Sequence, residues 1–378
     1  MSIRQQNLGS IVKPGFNPLG AQTSVTTYTY NLYSWGSNTY GQLGDGTITN
    51  RSSPVQVGAL ADWSTLAGGR YQTIATKTDG TLWTWGRNQH GQLGLGNITS
   101  YSSPKQVGVL TAWSKISGGT YYNISIKTDG TLWSWGRNNN GQLGLSNTTS
   151  YSSPKQVGAL TNWLNISCGY SQSAATKTDG TLWTWGRNDR GQLGLGNITY
   201  YSSPKQVGAL TSWLNVSSGL YQTFATKTDG TIWAWGDNSY GQLGLGDTVN
   251  RSSPVQVGAL TTWLKMASGQ YQISVVKTNG TLWAWGWNSS GQLGLGDITN
   301  RSSPVQVGSL TNWLNIASGL YHTIATKTDG ALWVWGGNTQ AQLGLGNTTS
   351  YSSPKQVGAL TTWLNIAGGW YHTTATKY

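Results

Sequence analysis

The ten-residue motif Trp-Gly-x-Asn-x-x-Gly-Gln-Leu-Gly begins at Trp35 and returns at Trp85, Trp135, Trp185, Trp235, Trp285 and Trp335, always 50 residues on, with Ala341 the one departure at its glycine positions. Units repeating at this length cannot bury their own faces alone, so the copies must stack on one another as blades or coils. Composition selects strands over helices: the chain holds 53 Gly and no Glu, and the Thr-, Trp- and Tyr-rich segments between the glycines suit a pleated sheet.

Within the second copy, residues 70 to 77 read as a strand, Thr78-Asp79-Gly80 as a hairpin turn, and Thr81 to Trp85 as the antiparallel return. A Gly-rich loop leads to an extended stretch around Pro104 to Val107, where proline suits a sheet edge, and then to a strand around Trp113 to Ser117. Four antiparallel strands in each of seven copies predict an all-β fold, a seven-bladed β-propeller. Counting back seven periods from Tyr378 assigns residues 29–378 to the ring and residues 1–28 to an N-terminal extended arm. The last copy stops at Lys377-Tyr378, where the turn is due, and the first begins near Asn31, just past it. The C-terminal segment Tyr371 to Lys377 is therefore expected to join the first blade and close the ring, which leaves no open sheet edge between ends. A rival for that slot is the N-terminal pair Gln22-Thr23, which aligns with Gln72-Thr73 but lacks the Asp-Gly turn. Three Trp positions per copy, represented by Trp83, Trp85 and Trp113, account for 20 of the 22 Trp and read as blade core.

The run Ala-Thr-Lys-Thr-Asp-Gly-x-Leu-Trp-x-Trp-Gly-x-Asn-x-x-Gly-Gln-Leu-Gly resembles the regulator of chromosome condensation repeat. The resemblance implies a propeller and a choice of functions: exchange factor for the Ran GTPase, chromatin binder, or a secreted inhibitor that caps β-lactamases with one face. Exchange-factor members carry an inserted hairpin wedge, and no copy here has an insertion, which argues against exchange activity. Near-identical copies resemble those of bacterial, viral or environmental members, and Ser10 to Leu19 is similar to the leading arms of marine phage structural proteins. This second likeness makes attachment to a virion through residues 1–28, and a virion or extracellular surface location, the expectation.

No enzyme chemistry is legible. Cys168 has no partner for a disulfide; Asp79, Asp129, Asp179, Asp229 and Asp329 serve hairpin turns; His322 and His372 sit 50 residues apart at equivalent strand positions, without a third ligand for a metal. The Gly-Gln-Leu-Gly loops lack the Lys and the following helix of a phosphate loop. No cofactor or metal is expected. No apolar run approaches the roughly 18 residues of a membrane span, and no signal layout is present, so membrane insertion is not expected.

Comparison of the copies with one another gives a candidate binding surface. The residue after the strand-leading Gly runs Arg70, Thr120, Tyr170, Leu220, Gln270, Leu320, Trp370; the residue after Trp-Gly runs Ser37, Arg87, Arg137, Arg187, Asp237, Trp287, Gly337; three places later stand Tyr40, His90, Asn140, Arg190, Tyr240, Ser290, Gln340. In an antiparallel hairpin these positions share the end away from the Asp-Gly turn, so seven blades put them on one face. Tyr40, Arg70, Arg87, His90, Arg137, Tyr170, Arg187, Arg190, Leu220, Asp237, Tyr240, Trp287, Leu320 and Trp370 are the candidate contacts, because Trp, Tyr and Arg dominate binding hot spots. The expected partner is a protein or a surface glycan. A second pattern links Arg51, Arg251 and Arg301 to Val55, Val255 and Val305, and Tyr101, Tyr151, Tyr201 and Tyr351 to Lys105, Lys155, Lys205 and Lys355, either by descent from two repeat subtypes or by Tyr–Lys cation–π contact. The net charge of +12 is thereby spread evenly by blade, which argues against nucleic acid as the partner.

Overall fold

The computed structural model describes residues 29–378, and the arm, with Gln22-Thr23 inside it, lies outside them. Among the described residues every regular element is a strand, and the strands form seven four-stranded antiparallel sheets. One blade comprises Trp63–Gly68, Gln72–Lys77, Leu82–Gly86 and Tyr101–Gln106, ordered from the axis outward. The expected boundaries hold to within a few residues, but the sequence unit and the sheet are out of phase. Trp113–Gly118 is the innermost strand of the following blade and not the fourth of this one. The cause is the loop from Val107 to Ala112, which carries the chain from the rim back to the axis.

Closure follows the same offset. Asn31–Gly36 and Arg51–Gln56 form the outer half of a sheet whose inner half is Trp363–Gly368 and His372–Lys377. Asn31 pairs with Lys377 and Gly36 with His372 in unbroken register, so the slot contested by two segments is filled from the C-terminus. Proline is found where its missing N–H costs nothing. Pro104 lies on the outermost strand, at an irregularity between Tyr101 and Lys105 where the ladder is interrupted.

Blades are joined by a repeated socket. Trp85 is fully buried and stands edge-on to Trp63, with centroids 5.8 Å apart, while its Nε1 donates to the carbonyl of Gln42 in the preceding Gly-Gln-Leu-Gly loop at 2.9 Å. The same bond recurs from Trp135, Trp185, Trp235 and Trp335. Gly44 must be glycine: its φ is +76°, and a Cβ there would lie 2.6 Å from the Trp85 Nε1. The buried Asn of the motif holds the loop in shape, with Asn38 Oδ1 accepting from Leu43 N at 2.9 Å.

Nearer the axis, one fully buried side chain per blade reaches the next blade. Gln72 Nε2 donates to the Gly119 carbonyl at 2.9 Å, and Gln172 to Gly219 at 2.9 Å. His322 and His372 occupy the equivalent places, with Nε2 2.9 Å from Thr373 Oγ1 and Thr73 Oγ1 respectively. Each of these hydroxyls gives its own proton to a loop carbonyl, Gln342 or Gln42, so the imidazole is the donor and is neutral, with Nδ1 buried and unpartnered.

Two outcomes follow from this packing. Burial pushes His322 down to about 3, helped by the neighbouring His372, and pushes His372 down to about 4. An unfolded histidine titrates near 6.5, so the unfolded chain binds more protons as pH falls below that value. Stability is complete above pH 6.5 and is lost as pH drops toward 4, by about 3 kcal/mol per imidazole. The double variant His322→Gln, His372→Gln, which installs the residue of four of the other five blades, should hold its urea midpoint between pH 6.5 and 4.5 while the wild type declines; parallel decline would refute the assignment. Ala341, at φ +61°, occupies a site where the other copies use Gly. Ala341→Gly should gain about 0.5–1 kcal/mol, read as a raised thermal midpoint.

Candidate functional site

The pairing Gln72↔Gly86 and the bond from Arg87 N to the Tyr71 carbonyl at 2.8 Å bring the two variable clusters to the same end of every blade. Their positions within that face differ. Residues after the strand-leading Gly converge on the axis, because the innermost strands end there. A Cβ on Gly68 would lie 2.5 Å from the Gly369 nitrogen, and no side chain larger than that of Cys or Ser stands at this position in any copy. The small side chains leave a central cavity of ≈ 80 Å³, and Tyr170, Leu220, Gln270, Leu320 and Trp370 contribute to its lining. Trp370 stacks on Tyr170, with centroids 6.2 Å apart and 24° between planes. Leu220 and Leu320 are 8% and 3% exposed, so they fill the mouth from within and are not free contacts. Asp237 is also not available: it is 4% exposed and accepts from Ser239 Oγ at 2.7 Å and Gln242 Nε2 at 2.9 Å.

The remaining candidates form two half-buried patches outside the mouth. On one side Arg70 donates through Nη1 to the Tyr121 hydroxyl at 2.9 Å, and its guanidinium carbon lies 4.5 Å from the Trp370 ring centroid and 4.9 Å from that of Tyr71. Arg87 lies over Tyr40 at 4.6 Å, and Arg137 over Tyr121 at 5.8 Å. His90 meets Tyr121 edge-on at 5.0 Å, and burial, with the charges of Arg137 and Arg87, holds its pKa below the ordinary value. Arg187 is paired with Asp189 at 2.6 Å, whereas Arg190 is exposed. On the other side Tyr240 and Trp287 are 5.8 Å apart, and Trp287 lies 6.1 Å from Tyr271 and 5.5 Å from Tyr321.

Tyr71, Tyr121, Tyr221, Tyr271, Tyr321 and Tyr371 are the residues that drift between copies does not reveal, because they are constant. They link the patches into a nearly continuous rim, through Tyr71–Tyr371 and Tyr321–Tyr371 at 6.1 Å and Tyr221–Tyr271 at 6.4 Å. The fourth copy has Ser171, and Tyr170 one place earlier takes over at 5.7 Å from Tyr221. The available signal was a bulky aromatic recurring beside a variable residue, outside the core positions.

The second pattern of variation has contacts on both sides. Arg51, Arg251 and Arg301 pair with Asp45, Asp247 and Asp297 at 2.6–2.7 Å. In the other subtype Asn97 donates to the Tyr101 hydroxyl at 3.3 Å, and Lys105 stands 5.4 Å over the Tyr101 ring. Asn97 stands where Asp247 and Asp297 stand in the arginine subtype, whereas Asp45 serves Arg51 from two places earlier in the loop. The seven lysines represented by Lys77 lie over aromatic rings at the opposite end of the blades, Lys227 at 3.7 Å from the centroid of Trp233.

The described residues assemble no catalytic pair. Among the described residues no group of three or more His, Cys, Asp or Glu side chains could hold a metal ion. Cys168 is buried beside the Ser117 carbonyl, and burial pushes its thiol up to about 12, which removes it as a nucleophile.

With this geometry in hand, comparison with known proteins gives a family and a fold. The RCC1-like domain model matches residues 146–375, and the regulator of chromosome condensation (RCC1) repeat model matches residues 31–76 and 79–126. No curated protein matches the chain. Human WBSCR16 is similar at 21% identity and TM-score 0.82, over 92% of this chain and 98% of that one. Prp20p from Saccharomyces cerevisiae, described with its binding to Gsp1p and histones, is similar at 18% identity and TM-score 0.83, over 93% and 92%. Yeast RCC1 (Prp20) bound to Kap60 is similar at 17% identity and TM-score 0.83, over 97% and 96%. At these identities the likeness shows the seven-bladed fold. The expectations of a phage-borne relative, of a virion or surface-recognition role and of a virion or extracellular location are corrected: the three solved structures are human and yeast proteins, and the ten residues behind the phage likeness fall outside the described chain.

Proposed function

We propose, from the premise that the chain belongs to the RCC1-like domain family, that it is a non-enzymatic protein-binding module of the chromatin- or small-GTPase-regulator kind. The observation that carries the proposal is the rim of half-buried tyrosines, tryptophans and arginines around the mouth of a rigid ring. Such side chains offer large contact area at low cost in conformational freedom, and they are preorganised here by stacking on one another. The binding of Gsp1p and histones described for the yeast protein supplies the partner classes. The equal length of all the loops makes binding, rather than nucleotide exchange, the activity to be measured.

Capture of core histones and of a panel of small GTPases by the full chain tests the proposal. Tyr240→Ala with Trp287→Ala should weaken capture of the retained partner by at least about tenfold, as expected for a hot-spot pair. Leu160→Ser with Leu210→Ser, at half-exposed sites in the loops of the opposite end, should leave capture unchanged. Equal loss from both pairs, or no retention of either partner class, would count against it.

A further inference from the structure

The arginine side of the rim has a feature that general protein binding does not require. Arg70, Arg87 and Arg137 come from two neighbouring blades, and their guanidinium carbons all lie over one ring, Tyr121, at 5.6, 5.4 and 5.8 Å from its centroid. Three cations so close repel one another, and the repulsion is greater where solvent is partly excluded. Folded proteins ordinarily offset such a cluster with carboxylates. Among the described residues ion pairs engage Arg51, Arg187, Arg251 and Arg301, and none engages these three. What holds them is aromatic: Trp370 and Tyr71 under Arg70, and Tyr40 under Arg87. A guanidinium lying on a ring keeps its N–H fork in its own plane, so the donors are directed along the face, where an acceptor can approach.

The donors are underused. Arg70 spends Nη1 on the Tyr121 hydroxyl and leaves its buried Nε without a partner. Arg87 reaches only the neutral Gln89 side chain, by Nε at 3.0 Å and by Nη2. The exposed Arg190, also outside any ion pair among the described residues, continues the arc onto the next blade. On the blade beyond Arg137, Asp189 is committed to Arg187.

We propose that this arc is the recognition site for an acidic segment of the protein partner, a stretch of successive Asp or Glu side chains laid across the guanidiniums of Arg87, Arg70, Arg137 and Arg190. The inference rests on the protein-binding reading of the face and specifies the chemistry of what it binds. The spread of cations over three blades favours a row of carboxylates over a single oxyanion, and the stacked guanidiniums receive carboxylates in bidentate fashion with little loss of side-chain freedom. The aromatic patch at Tyr240 and Trp287 lies elsewhere on the rim and is left for the partner's apolar residues.

Fluorescence anisotropy of the full chain with fluorescein-labelled octaglutamate provides the test, with octaglutamine and a peptide bearing one phosphoserine as the other arms. Octaglutamate should bind and octaglutamine should not, and affinity should fall as NaCl rises from about 50 to 300 mM, because screening weakens exposed charge contacts. Arg70→Gln, Arg87→Gln and Arg137→Gln together should weaken octaglutamate binding by at least about tenfold, whereas Arg251→Gln with Arg301→Gln should change it by less than about twofold. If the triple variant does not fold, Arg137→Gln alone, which contacts only Tyr121, should still cost about threefold. Equal binding of octaglutamine, indifference to the arginine substitutions, or binding of the phosphoserine peptide without octaglutamate would each overturn the assignment. Should octaglutamate fail while Tyr240- and Trp287-dependent capture persists, the acidic-segment inference falls and the protein-binding reading stands; failure of both removes both.

Discussion

The whole ring depends on a tryptophan of one blade lying in a loop of the blade before it. The indole needs a flat backbone surface and an acceptor for its N–H, and Gly-Gln-Leu-Gly supplies both: Gly44 offers no side chain against Trp85, and the Gln42 carbonyl accepts its proton. The glycine against the indole returns at every blade junction, with Gly344 against Trp35 closing the circle, and the bond to the Gln carbonyl is made at five of the seven, from all but Trp35 and Trp285. Because the interaction is between blades, no copy can drop the motif without opening a junction, and this accounts for its constancy where neighbouring positions have changed. Ala341 lies at a different contact: at its glycine counterparts Gly41 and Gly91 a Cβ would face the Ser102 or Ser152 Cα, at 2.5 Å, and not the indole, and its φ is left-handed.

A junction so uniform frees other positions. The variable residues stand at the ends of strands whose geometry the sockets already determine, so they can change type without moving the backbone. Placement then sorts them. Those nearest the axis are pressed together into a plug of Tyr170, Leu220, Leu320 and Trp370, whereas those one shell out remain half-exposed on a tyrosine rim. Charge is sorted in the same way. Lysines at the far end are held over tryptophans, four arginines are held by Asp in the loops, and the arginines around Tyr121 are left with aromatic and neutral polar support.

Most of this architecture was legible in the sequence because the copies are in phase. The 50-residue spacing gave the number of blades, the Asp-Gly turns gave the hairpins, and the truncated last copy gave the closure. The grouping of strands into sheets was not legible, since Trp113–Gly118 is adjacent in sequence to one blade and in space to the next. That the variable positions share one end of the blades was legible, but their exposure was not. Leu220, Leu320 and Asp237 vary like surface residues and are buried, because variation reports freedom from the socket and not access to solvent. Tyr121 shows the converse: constant, and yet at the centre of the arginine cluster.

The most direct test of the socket separates its steric demand from the backbone demand that any left-handed glycine makes. Gly144 and Gly158 have φ of +73° and +63°; a Cβ at Gly144 would lie 2.8 Å from the Trp185 Nε1, and one at Gly158 would meet nothing within 4 Å. Urea denaturation of Gly144→Ala and Gly158→Ala compares them. If the indole socket holds the ring, Gly158→Ala loses about 1 kcal/mol from backbone strain and Gly144→Ala loses several times more. Equal losses would show that the tryptophan junction is not what the ring depends on.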